Sequence, residues 1–151
     1  MSELTVHETF MREALFEAER AVENDEVPVG AVVVSDEKIL SRAHNRAIYM
    51  NDPTAHAEIL AIREACRIKR NYRISDCDLY VTLEPCVMCM GAILQARIRR
   101  LVFGALDPKS GAVESIMTLP FDQMNHPIKI EGGILAEECG KLLRDFFVIK
   151  R

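Results

Sequence analysis

Two short stretches of this 151-residue chain combine residue types that can hold a metal ion and move protons: His56-Ala57-Glu58 and Pro85-Cys86-Val87-Met88-Cys89. One imidazole and two thiolates are donors suited to a borderline-soft cation such as zinc. The count matters. Three protein ligands leave one coordination position for water, as in a catalytic zinc site, whereas a structural zinc is closed by four. A cation held this way lowers the pKa of water towards neutrality. Glu58 is then a spare carboxylate, unnecessary as a ligand and of the right type to carry the proton that water gives up.

These side chains meet only if the elements carrying them allow it. Residues two apart on a regular helix point about 200° apart. His56 and Glu58 therefore share a site only if it lies off the N-terminal end of a helix. Asp52-Pro53-Thr54 supplies such an entrance, with a helix expected over about 55–70. Pro85 is expected to begin a second helix, because a first turn makes no use of the N–H that proline lacks. Cysteines three apart share a helix face, and the dipole at a helix start stabilises the thiolate that binds metal. Two helix starts would then converge on one ion, one per chain. Taken alone, C-x-x-C also suits a redox pair or two core cysteines, and His-x-Glu is close to noise; the conjunction is far more specific.

The surrounding pattern supplies a scaffold. Phe10, Met11, Ala14, Leu15, Ala18, Ala21 and Val22 recur at helical spacing over 8–24, with Glu13, Glu17, Arg20 and Asn24 on the other side. Ala31 to Ser35 and Ile39 to Ala43 read as a hairpin around Asp36-Glu37-Lys38. Leu79 to Leu83 and Leu101 to Gly104 read as buried strands. With a short helix between them, they imply a right-handed crossover and parallel pairing. Residues 106–125 are rich in Pro, Gly, Ser and Asp and read mostly as loop. Leu135, Cys139, Leu142, Leu143, Phe146 and Phe147 close the chain at helical spacing. The fold class is therefore α/β, with helices covering a mixed sheet.

His7, His44 and His126 show no ligand spacing and read as surface or satisfied histidines. Cys66 and Cys139 fall on apolar helix faces, and Cys77 falls in an expected loop. The stretch Arg67-Ile68-Lys69-Arg70-Asn71-Tyr72-Arg73 is by default a solvated helix end. Its alternative is a phosphate-contacting patch, with Tyr72 available for stacking and Lys141, Arg144, Lys150 and Arg151 adding to it.

The bulk numbers bound the setting. The length fits one domain over 1–151, and 49% hydrophobic with 28% charged residues is the balance of a globular chain. A net charge of −4 argues against coating nucleic acid by bulk charge, so any RNA must be met by a local basic surface. Five irregularly spaced cysteines do not form a secreted disulfide framework and point to a reducing, cytoplasmic compartment. A signal peptide and a membrane-spanning run are both missing from the pattern.

H-x-E followed by P-C-x-x-C resembles the signature of the zinc nucleobase deaminases. Longer segments narrow the resemblance: Val27-Pro-Val-Gly-Ala-Val-Val-Val34, Asn51-Asp-Pro-Thr-Ala-His-Ala-Glu-Ile59 and Leu79-Tyr-Val-Thr-Leu-Glu-Pro-Cys-Val-Met-Cys89. Val102-Phe-Gly-Ala105 with Asp107, Lys109 and Gly111, then Gly133-Ile-Leu-Ala136 with Glu138, Cys139 and Phe146-Phe147, extend it over nearly the whole chain. With these segments the sequence resembles the bacterial-type tRNA adenosine deaminases. The resemblance implies a cytidine-deaminase-like, three-layer α/β/α fold with a mixed five-stranded sheet, and a homodimer. It implies conversion of the wobble adenosine of a tRNA anticodon stem-loop to inosine, with zinc on His56, Cys86 and Cys89 and Glu58 as proton carrier. It sets Asn45 against the flipped base and Asp107 and Lys109 near the RNA; Arg70 and Arg73 are the phosphate-contact candidates of the basic stretch. Met90 departs from the family, which often has a small residue there. Two rivals stay open: a deaminase of a free base, nucleoside or nucleotide (cytosine, cytidylate or guanine type), and a non-catalytic zinc module closed by Cys66 or Cys77.

Overall fold

A computed structural model describes residues 2–150. Arg151, a candidate member of the basic patch, lies outside the described residues. In chain order the elements are α1 (Glu3–Glu23), β1 (Gly30–Ser35), β2 (Lys38–His44), α2 (Ala47–Met50), α3 (Ala57–Lys69), β3 (Cys77–Leu83), α4 (Val87–Gln95), β4 (Arg100–Ala105), β5 (Lys129–Glu131) and α5 (Ala136–Lys150). The five strands form one sheet in the order β2-β1-β3-β4-β5. β1 pairs antiparallel with both β2 and β3, while β3, β4 and β5 run parallel. The expected parallel crossover through α4 is present.

Side chains alternate across the sheet with the period of two that a strand dictates. Ala31, Val33, Leu79, Val81, Leu101 and Phe103 face α3 and α4, against Ala57, Ala61, Ile62, Met90 and Ile93. Val32, Val34, Tyr80 and Val102 face α1 and α5, against Met11, Ala14 and Cys139. Both faces are covered, so the central strands read as continuous apolar runs. The result is the three-layer α/β/α arrangement. Gly30 lets α1 approach β1 closely, since a Cβ there would run into the backbone of Ala14 and Ala18. Asp36 and Glu37, at φ 53° and 61°, make the two-residue turn of the β1–β2 hairpin; positive φ at both positions matches the right-handed strand twist.

The structure differs from the sequence expectations at several points. α1 begins at Glu3, five residues earlier than the expected start at residue 8, with Ser2 Oγ accepting the Thr5 N–H at 3.1 Å. Glu17, expected on the polar side of that helix, is buried, because His44 Nδ1 at 3.3 Å and Arg20 at 3.4 Å meet its carboxylate. Cys77 is not in a loop but opens β3, fully buried. α2 and β5 carry too few residues to leave a periodic signal. His44 and His126 are satisfied, the latter through Ile98 O at 2.8 Å, but His7 is buried. No helix among the described residues is long and apolar enough to cross a membrane.

Candidate active site

α3 and α4 lie on the same face of the sheet and start near one another. His56 is the N-cap of α3 and Cys86 the N-cap of α4, both extended, at φ −78°, ψ 153° and φ −76°, ψ 175°. Pro85 therefore stands just before the cap, two residues ahead of the first helical residue, and does not begin the helix. The cap position must keep extended dihedrals, and those dihedrals swing the Cys86 side chain off the helix end towards His56. His56 Nδ1 lies 3.7 Å from Cys86 Sγ and 3.5 Å from Cys89 Sγ. All three donor atoms fall within 4.8 Å of one another.

Those spacings test whether a zinc ion fits. Zn–S near 2.3 Å and Zn–N near 2.0–2.1 Å at tetrahedral angles put nitrogen and sulfur about 3.6 Å apart, which the two contacts match. Of the two thiols, Cys86 is the one ready to lose its proton. The Cys89 thiol, against the opposing push of burial, and then His56 hold Cys86 down to about 4. Cys89 is pushed up, first by the Cys86 sulfur and then by burial. Cys66 and Cys77 are not in the cluster, and Cys77 is instead turned to Asp76, its Sγ 3.5 Å from Oδ1. Among the described residues the donor set is thus three.

Glu58 sits in the first turn of α3, only 4% exposed, and is not one of the three donors. Burial pushes its carboxyl up to about 7. A buried acid beside a metal-type cluster, able to gain and lose a proton near neutral pH, has the properties of a general acid–base.

Comparison with known proteins agrees with this chemistry. A family model of MafB19-like deaminases matches residues 5–151. A tRNA-specific adenosine deaminase of Agrobacterium fabrum is 51% identical over 144 residues, covering 94% of this chain and 94% of the relative. One of Haemophilus influenzae is 49% identical over 146 residues, covering 95% and 84%. This chain belongs to the tRNA-specific adenosine deaminase family. A solved structure from a study of A-to-I editing by tRNA:A34 deaminases at the wobble position superposes with a TM-score of 0.83 at 48% identity, over 89% of this chain and 99% of that one. The deaminase fold read from the sequence is therefore the fold present.

Within this deaminase the other candidate residues fall into two groups. Asn45, at the end of β2, is close to the cluster: its Oδ1 accepts the N–H of Ala57, the first residue of α3, at 2.8 Å. Asp107 follows β4 and spends its Oδ1 on a local turn, accepting from Lys109 N at 3.0 Å and Ser110 N at 3.2 Å. Lys109 is exposed beside it. Arg70 and Arg73 are exposed at the opposite end of α3; its 13 residues, at about 1.5 Å each, put Arg70 roughly 20 Å from His56. Met90, which follows Cys89 directly, is fully buried in the core against the sheet.

Glu84 was missed by sequence reasoning. It is 1% exposed and accepts the N–H groups of Asp107, Val113, Glu114 and Ser115 at 2.8–3.0 Å, together with the Ser115 hydroxyl. Burial pushes its carboxyl up, but these donors outweigh it and hold it at about 2. It ties the loop after β4 to the start of α4. Its one sequence signal is a glutamate directly after a buried strand and before Pro85. Glu26 does similar work, accepting from Ile48 N at 3.1 Å and Tyr49 N at 2.8 Å to hold α2.

Proposed function

We infer that this chain hydrolyses the wobble adenosine of a tRNA anticodon to inosine, releasing ammonia, with residues 1–151 acting as one deaminase domain. The observation that carries the chemistry is the convergence of His56, Cys86 and Cys89 at two helix starts, with buried Glu58 beside them. The tRNA substrate follows from family membership.

His56 Nδ1 and the sulfurs of Cys86 and Cys89 would hold one zinc per chain. When bound, zinc supplies Lewis acidity that brings the pKa of a water near neutrality. Glu58 accepts the water proton, since its carboxylate and carboxylic acid forms are both accessible near pH 7. It delivers that proton to the ring nitrogen beside the carbon that the water attacks, then takes the proton of the newly added hydroxyl and passes it to the amine, which leaves as ammonia while that oxygen becomes the carbonyl of inosine. Asn45 offers its amide N–H2 to a base edge while its oxygen stays on α3. A single-stranded anticodon loop lets the base swing out at little cost. Arg70 and Arg73, with Lys109 and the Asp107 turn, are the contacts we assign to the RNA backbone.

We further read the functional unit as a cytoplasmic homodimer. All five cysteines are free thiols, which suits a reducing compartment. Ile48, Tyr49, Val87, Leu106, Ile116 and Met117 are exposed apolar side chains around the site-bearing elements, a surface that a second copy would cover.

The deciding assay offers the protein an anticodon stem-loop carrying the wobble adenosine, beside free adenosine, cytidine and guanine. Inosine formed in the stem-loop alone is the expected result. Turnover of a free base or nucleoside with none in RNA would move the chain to the small-molecule deaminases.

A further inference from the structure

The face of the sheet opposite the His56 cluster carries a second group of donors. His7 projects from α1 and is 1% exposed. Its Nδ1 is 2.8 Å from the Tyr80 hydroxyl, which fixes the ring. Its Nε2 is buried and has no hydrogen-bond partner. Yet Glu131 Oε2 lies 2.9 Å and Glu3 Oε1 3.4 Å from that same nitrogen. Two oxygens this close, but off the line of the ring N–H, are poorly placed to accept its proton. Donors that share one cation at about 2.0–2.2 Å stand roughly 3 to 3.5 Å apart, and to the side of each other's lone pairs. Here one nitrogen and two carboxylate oxygens are all within 4.8 Å of one another.

We propose that His7, Glu3 and Glu131 form a second binding site, separate from the deaminase centre, for a divalent transition-metal cation of the zinc type. Glu3 and His7 stand four apart on α1 and share its face; Glu131 arrives from β5. Tyr80 supplies the outer contact that orients a metal-binding histidine: its oxygen accepts Nδ1–H and leaves the Nε2 lone pair for the ion. The charges facing the group are mixed. Arg100 pairs with Glu3 at 3.2 Å and opposes a cation, while Arg99 is already bound to Asp78 at 3.0 Å. Asp36 and Glu37 line the same cleft and favour one. Glu3 and Glu131 are 69% and 47% exposed, so the ion enters from solvent. Bound there, it clips the first turn of α1 to the last strand and stabilises the fold by mass action.

The test is a count of zinc. The full-length protein, carrying its first equivalent, is titrated with Zn²⁺ by calorimetry, and bound metal is counted after equilibrium dialysis. Wild type should take up a second equivalent. Glu131→Gln and His7→Gln should each lose that event or weaken it at least tenfold while keeping the first. Cys86→Ser should do the reverse, so failure of the first site and failure of the second are told apart. Glu131 is a surface residue, so Glu131→Gln carries the test if His7→Gln does not fold. A wild type that stops at one equivalent, or a second equivalent that survives Glu131→Gln, would overturn the proposal.

Discussion

Glu58 and Glu84 are both buried carboxyls near the helix starts of the site, and their surroundings drive them in opposite directions. Glu58 lacks the cage of N–H donors, and burial raises it to about 7. Glu84 is enclosed by four N–H groups and a hydroxyl that overcome its burial and keep it charged, at about 2. One is suited to move protons, the other to hold a loop. Glu58→Gln should therefore keep its zinc and lose turnover by about 10²–10⁴-fold or more, the scale of general acid–base catalysis. Metal analysis beside single-turnover kinetics checks both halves, with Cys86→Ser expected to lose metal and turnover together. Glu84→Gln should cost on the order of 2–4 kcal/mol, because an amide turns an N–H2 group towards backbone donors that lose their charged acceptor. Denaturant unfolding gives the loss, and amide exchange should quicken over 107–115. Glu58 was legible in the sequence from its spacing to His56. Glu84 was not, since its partners lie 23 to 31 positions away.

At the scale of elements, the site depends on where two helices begin. α3 has no side-chain cap from His56, and its first N–H is taken by Asn45 from the end of β2. Asn45 thus has a structural duty beside the one proposed for it towards the base, and two substitutions separate them. Asn45→Ala removes the cap, worth about 1 kcal/mol, and the amide as well. Asn45→Asp keeps an acceptor at a helix N-terminus, where negative charge is favourable, but loses the N–H2 donor. Thermal melts should show the alanine variant destabilised and the aspartate variant near wild type, while turnover falls in both. Recovery of turnover in Asn45→Asp would leave capping as its only role. The hairpin, the parallel crossover and the apolar face of α1 were all visible from period and spacing. Pro85 was misplaced by two residues because cap geometry depends on which side chain must leave the helix axis, and that choice is made by His56 across the site.

Over the whole molecule, a net charge of −4 leaves RNA binding to whatever basic groups remain uncommitted. Ion pairs occupy Arg67 with Glu64, Lys69 with Asp76, Lys141 with Asp145, Arg144 with Glu137 and Lys150 with Asp25. Arg70 and Arg73 are in none of the ion pairs among the described residues, and the Arg73 guanidinium lies over the Tyr72 ring, 5.2 Å from its centroid. Replacing both by Ala should flatten the log–log dependence of RNA affinity on salt by about one to two units, at roughly 0.7 per phosphate on a single strand. Zinc content and the preference for adenosine should not change. Binding measured over a salt series checks this, and an unchanged slope would return the stretch to a solvated helix end. The sequence alone named the candidate reacting groups and determined the elements beside them, because residue chemistry, helix capping and strand alternation are local properties. Only the tertiary structure decided which polar groups are buried. His56 meets Cys86 across 30 positions, His7 meets Tyr80 across 73, and Glu17 meets His44 across 27. A buried charge or imidazole persists only where such distant partners arrive to replace water, and no local pattern records their arrival.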